Sequence, residues 1–160
     1  MIFLKLSIAL LCGSIAVQDF RERAVLWILF PLTAALLATL YLKSTFLQDF
    51  LWNIFTNLIL VSFMILILYI YTHFIRGKAF LNHSIGLGDV LFFYAFALGF
   101  PTFTFVTLFV CSLLFSLFFF SLARKRLTNK TIPLAGLMGL FLTGLMLTSL
   151  IPGLPSLYTL

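Results

Sequence analysis

Asp19, Glu22, Asp49 and Asp89 are the four carboxylates of this chain, and two of them sit where carboxylates do chemistry. Asp19 closes one long apolar run, and Asp89 opens another behind Gly86-Leu87-Gly88. Ionisable groups at membrane depth are costly and default to functional roles. Two carboxyls in contact cannot both ionise cheaply, so they share one proton and titrate as a unit. One member then acts as base, taking a proton from a water that attacks a peptide carbonyl. The other stabilises the developing oxyanion and later supplies the leaving amine with its proton. This chemistry needs no metal and no cofactor, and the sequence carries no His-Glu metal motif, phosphate-binding loop or Ser-His-Asp constellation.

Each aspartate also has a structural role open to it. Asp89 can cap its own helix, where the first free N–H groups and the macrodipole favour a carboxylate. Asp19 can pair with Arg23 four residues on, a contact worth about 0.2–0.5 kcal/mol in a helix. Spacing alone does not choose between these roles and catalysis. Gly86 and Gly88 add a second signal, because each glycine within a helix costs about 1 kcal/mol relative to alanine. Bare backbone permits positive φ or close approach of another chain segment, and irregular main chain at membrane depth needs protein or water to cover it. An extended peptide lying along Gly86 and Gly88 as an added strand is one use for such a surface. Glu22 and Asp49 read as solvated residues at helix ends. His73 and His83 flank the basic stretch before the motif and read as solvated, with metal binding alongside Asp89 the alternative. Cys12 and Cys111 lie in apolar runs without a Cys-x-x-Cys pattern, as small buried side chains rather than zinc ligands or a disulfide.

The elements that must position these groups follow from composition. The 160 residues are 63% hydrophobic and 9% charged, against about 45–50% and about 25% in an ordinary soluble domain. A water-soluble fold cannot clothe itself with so few polar groups, and an aromatic content of 18% excludes disorder. The net charge of +6 is too scattered to track phosphates, so nucleic acid is not a partner. The lipid bilayer is.

Charged positions divide the chain into apolar stretches near the length of about 17–25 residues that a crossing helix needs. They are Ile2 to Gln18, Ala24 to Leu42, Leu51 to Thr72, Asp89 to Gly99, Thr102 to Ala123 and Pro133 to Ile151. The charge-free stretch from Val90 to Ala123 is too long for one crossing and divides at Gly99-Phe100-Pro101. The first stretch, with Lys5 ahead of it, has a secretory signal as its alternative reading. The expected fold is all-α, a polytopic membrane protein of six transmembrane helices in one domain spanning residues 1–160. With six spans, Arg21, Arg23, Arg76, Lys78, Arg124, Lys125, Arg126 and Lys130 share one side, leaving Lys5 and Lys43 on the other. The positive-inside rule makes the basic side cytoplasmic, and both aspartates fall at that face.

Gly86-Leu87-Gly88-Asp89 at a helix entrance, with an earlier aspartate closing the first helix, resembles the Gly-x-Gly-Asp aspartyl proteases of membranes, and in particular the type IV prepilin peptidase family. Asp19-Phe20-Arg21-Glu22-Arg23 resembles that family's first aspartate box, Asp89 to Gly99 its second, and Ile132-Pro133-Leu134-Ala135-Gly136 its late Ile-Pro motif. The resemblance implies that Asp19 and Asp89 are the catalytic pair and that Gly86 and Gly88 shape the site. It implies a pilin-like precursor as substrate, cut after a short basic leader at the cytoplasmic face of a bacterial or archaeal membrane. Departures are visible. Nothing precedes the first span, so a peptidase-only form without methyltransferase activity is expected. Val90 follows Asp89 where many members carry Lys, and Leu26-Trp27 stands where Pro-Asn is common. Signal peptide peptidase and presenilin share the Gly-x-Gly-Asp motif, but Gln18 precedes Asp19 here and Pro133-Leu134-Ala135 alters their Pro-Ala-Leu order. The alternative class is a non-enzymatic channel or assembly subunit whose aspartates handle protons or a cation.

Overall fold

The computed structural model describes residues 1–22, 24–76, 86–123, 133–151 and 157–158. These form six helices and, among the described residues, no strand: α1 (Ile2–Glu22), α2 (Leu29–Leu42), α3 (Leu47–Arg76), α4 (Leu87–Ala97), α5 (Thr102–Ala123) and α6 (Leu134–Thr148). One helix corresponds to each expected apolar stretch. α1, α3 and α5 are long and apolar enough to cross a bilayer. The other three have 14, 11 and 15 residues, shorter than the roughly 20 residues that match a hydrocarbon core of about 30 Å.

Helix is the form in which apolar sequence satisfies its own backbone away from water. The few hydroxyls on these helices follow the same rule, donating to carbonyls one turn back: Thr33 to Leu29, Thr72 to Leu68 and Ser116 to Ser112. The division between α4 and α5 is built the same way. Gly99 N–H donates to Phe96 O, while Asn57 Nδ2 on α3 donates to Ala97 O at 3.0 Å and Phe100 O at 2.9 Å, closing carbonyls that the end of α4 leaves open. Asn53 Oδ1 accepts from both N–H and Oγ1 of Thr102, capping the start of α5 from a neighbouring helix.

Several boundaries differ from the expected ones: α1 runs on through Asp19 to Glu22, α4 starts and ends two residues earlier, at Leu87 and Ala97, and α6 ends at Thr148. α2 begins at Leu29, not Ala24, because the chain between α1 and α2 is held in a turn. Leu26 N–H donates to Gln18 Oε1 at 3.0 Å, and the N–H groups of Leu29 and Phe30 reach back to Leu26 O and Trp27 O. α3 extends about one turn beyond its apolar stretch at each end. Asp49 in its first turn suits the positive end of the helix, so a charge there does not terminate it.

Pairwise contacts fix the directions of the helices. α1 and α6 are antiparallel and the most closely packed pair: Lys5 Nζ donates to Ser149 O at 2.7 Å, Thr143 Oγ1 to Ala9 O at 3.3 Å, and Gly136 N–H to Asp19. Small residues allow this approach; a Cβ on Gly139 would lie 3.0 Å from Cys12 O. α4 runs parallel to α2, with Gly88 against Phe30 and Gly99 against Leu37. It runs antiparallel to α3 through Asn57 and the Ser62–Tyr94 hydrogen bond, and to α5 through Phe93–Phe109 and Phe96–Phe105. Consecutive helices therefore alternate in direction. Glu22, Leu29, Arg76, Leu87, Ala123 and Leu134, the helix ends that flank the three basic connections, all lie at one end of the bundle.

The core is aromatic at its centre, where Phe96 meets Phe100, Phe105 and Phe109 with ring centroids 5.5, 6.0 and 5.9 Å apart. The outer surface is apolar as well. Trp52, Phe55, Ile59, Phe63, Leu66, Ile70 and Phe74 are exposed along α3 at steps of three and four residues, a continuous face that only an apolar solvent accommodates.

Candidate active site

The site is organised by the first turn of α6. A helix begins with N–H groups that have no partner inside it, and its dipole places partial positive charge there. Pro133 precedes α6 as its N-cap residue and has no N–H of its own. The amides of Ala135 and Gly136 are consecutive donors, and each takes one carboxylate. Ala135 N–H donates to Asp89 Oδ1 at 2.8 Å, and Gly136 N–H donates to Asp19 Oδ2 at 2.7 Å. Two aspartates seventy residues apart in sequence thus meet on neighbouring amides of a third segment, close enough to interact electrostatically. Both are partly buried.

Local sequence explains how each carboxyl reaches this position. Asp19 lies in the last turn of α1, on the face packed against α6. A Cβ on Gly136 would lie 2.9 Å from Asp19 Oδ2 and 3.0 Å from Asp19 Cβ, so the approach of Asp19 depends on glycine there. Asp89 lies in the first turn of α4. Its Oδ2 accepts from Gly86 N–H at 3.3 Å, the return half of a capping box, while Oδ1 points away to α6. The capping role and the pairing role therefore coexist in one carboxylate. A cap alone accounts for only one of the two oxygens.

Gly86 and Gly88 behave differently from the expectation of unusual backbone. Gly86 is extended at φ −68° and ψ 142°, a conformation open to any residue, and Gly88 is helical. Their bareness matters sterically. A Cβ on Gly86 would lie 3.2 Å from Asp89 Oδ2, and one on Gly88 would lie 3.3 Å from Phe30 Cζ. What approaches in both cases is a side chain rather than another backbone. Because Gly88 is helical and faces the Phe30 ring, an added strand along both glycines does not fit; only Gly86 presents extended main chain.

The remaining candidates lie apart from the pair. Asp49 and Glu22 are exposed at helix ends, Asp49 at the far end of the bundle. His73 is exposed on α3 and stacks on Tyr69, while Arg23 and His83 lie outside the described residues. Cys12 is buried, Cys111 is exposed, and both are free thiols. Among the described residues no three His, Cys, Asp or Glu side chains converge as a metal site would require. The functional groups that residue types do not reveal are the amides of Ala135 and Gly136. The available cue is the Pro-Leu-Ala-Gly entrance to an apolar run, since proline at a helix start marks where free N–H groups emerge. No family model, curated protein or solved structure matches the chain.

Proposed function

We propose that the chain is a membrane aspartyl endopeptidase of the prepilin peptidase type, cutting the short basic leader from pilin-like precursors with Asp19, Asp89 and a water. The observation that carries this reading is the seating of both carboxyls on the consecutive amides of Ala135 and Gly136. Two carboxylates held side by side retain one proton between them. Donors fixed at a helix N-terminus support the remaining negative charge without having to reorient during the reaction. In the proposed cycle the ionised carboxyl takes a proton from water as its oxygen bonds to the scissile carbonyl carbon. The protonated carboxyl hydrogen-bonds to the developing oxyanion. Collapse of the tetrahedral intermediate breaks the C–N bond, the amine leaves with one proton, and the pair returns to a single shared proton.

Six crossings with the pair at the cytoplasmic face complete the proposal. It is supported by the alternation of the helices and by the position of the ends flanking the basic connections, which share the end of the bundle that holds the aspartates. The short α2, α4 and α6 then cross packed against the longer helices, α6 on α1 and α5, and α4 on α3 and α5.

The test is leader removal from a pilin precursor co-expressed with the chain. Asp19→Asn and Asp89→Asn each abolish cleavage, whereas Asp49→Asn leaves it intact. Activity against pH has two limbs, as a shared proton requires. Cleavage retained in either aspartate variant rejects the mechanism, and cation or proton flux through vesicles without cleavage identifies a channel instead.

A further inference from the structure

Phe30 has no place in the catalytic chemistry just described, yet its ring lies against the turn of α4 that carries Asp89. It lies in the first turn of α2, almost completely buried at 3% exposure. Its Cζ lies 3.3 Å, and its Cε2 3.8 Å, from where a Cβ on Gly88 would stand. Gly88 immediately precedes Asp89 in the first turn of α4. The bonds inside this turn are local, from Asp89 and Val90 N–H to Gly86 O and from Gly86 N–H to the Asp89 carboxyl, and let it move as a unit. A ring wedged against the bare backbone of Gly88 therefore limits how far this turn can rotate. Rotation would move Asp89 Oδ1 relative to Ala135 N–H, and so relative to Asp19, the titratable group that faces it from α1.

We propose that Phe30 is a positioning residue for Asp89, its ring and the absent side chain of Gly88 forming a matched pair that fixes the direction in which the carboxyl reaches α6. This rests on the reading of Asp19 and Asp89 as the catalytic pair. The far end of the same interface provides an internal comparison. A Cβ on Gly99 would lie 3.2 Å from Leu37 Cβ and Cδ2, an equally tight approach remote from the carboxylates.

The experiment is a double-mutant cycle on the full chain in vesicles, read by precursor cleavage and by thermal unfolding. Gly88→Ala places a methyl against Phe30 and shifts the turn by a few tenths of an ångström. Since a displacement of 1 Å costs about 10²-fold in rate, a few tenths lower kcat by about fourfold with little change in KM. Phe30→Leu removes the ring atoms that the methyl would meet, and in that background Gly88→Ala costs less than about twofold. Phe30→Leu also moves the limbs of the pH profile, because the geometry of the shared proton changes. Leu37→Val loosens the same helix pair and lowers the unfolding temperature, but leaves the pH profile in place.

Equal losses from Gly88→Ala in both backgrounds, or an unchanged pH profile in Phe30→Leu, overturn the positioning role while the wild type still cleaves. Cleavage that survives in either Asp19→Asn or Asp89→Asn instead removes the catalytic reading, and the positioning role with it. Thermal unfolding shows in every case whether the variants are folded.

Discussion

Gly136→Ala is the smallest change that separates the two aspartates. The added methyl carbon would lie 3.0 Å from Asp19 Cβ and 2.9 Å from Asp19 Oδ2, whereas carbon atoms rest at about 3.5–4.0 Å. Relief requires a displacement of about 0.5–1 Å between the end of α1 and the start of α6. The 2.7 Å bond from Gly136 N–H to Asp19 lies directly on that path, and stretching it by this amount leaves at best a weak hydrogen bond. Scaling from about 10²-fold per ångström of misplacement, kcat for precursor cleavage falls about 10- to 100-fold, with KM little changed. Stability moves less. Crowding costs about 1–3 kcal/mol, and replacing a helical glycine returns about 1 kcal/mol. Gly144→Ala is the matched control, because its added methyl meets nothing within 4 Å on the same helix. The assay is the initial rate of leader removal by purified protein in vesicles, with unfolding temperatures measured in parallel. Cleavage by Gly136→Ala within twofold of wild type refutes the claim that this glycine sets the pair, as does an equal loss in Gly144→Ala.

Three further outcomes follow from the packing and from the proposed orientation. Gly139→Ala puts a methyl 3.0 Å from Cys12 O, a backbone atom that cannot rotate aside. It lowers stability by about 1–3 kcal/mol, and an unchanged unfolding temperature would show that α1 and α6 are not so closely apposed. Asn57→Leu strips the donors from Ala97 O and Phe100 O and costs about 1–2 kcal/mol in a bilayer. The dyad stays in register, so unfolding shifts while the shape of the pH profile does not. In a cysteine-free background, single cysteines at Arg21→Cys and Ser44→Cys react with impermeant thiol reagents from opposite sides of the membrane, the first from the cytoplasm. Labelling of both from one side would remove the alternating arrangement.

The sequence makes the six helices visible because each is a long apolar run, and proline, glycine or charge interrupts those runs where the chain turns. It makes Asp19 and Asp89 visible for the same reason, since a carboxylate at the margin of such a run is conspicuous. Ends are less legible. A hydropathy pattern contains no trace of the Gln18–Leu26 hydrogen bond that delays α2, nor of the dipole that keeps Asp49 inside α3. The organising donors at Ala135 and Gly136 are harder still to foresee, because every residue except proline carries an amide and only its place in the helix frees it. Phe30 cannot be singled out among 21 phenylalanines until the backbone it touches is known.

The central claim is that Asp19 and Asp89 stand side by side at the start of α6, and proximity between the two positions tests it most directly. With Cys12→Ala and Cys111→Ser removing the native thiols, Asp19→Cys and Asp89→Cys are introduced together and treated in native membranes with a short thiol-bridging reagent. Efficient intramolecular bridging of α1 to α4 is predicted, alongside none for Asp19→Cys combined with Asp49→Cys, whose positions lie at opposite ends of the bundle. Bridging of the 19/89 pair no greater than that of the 19/49 pair would contradict the account.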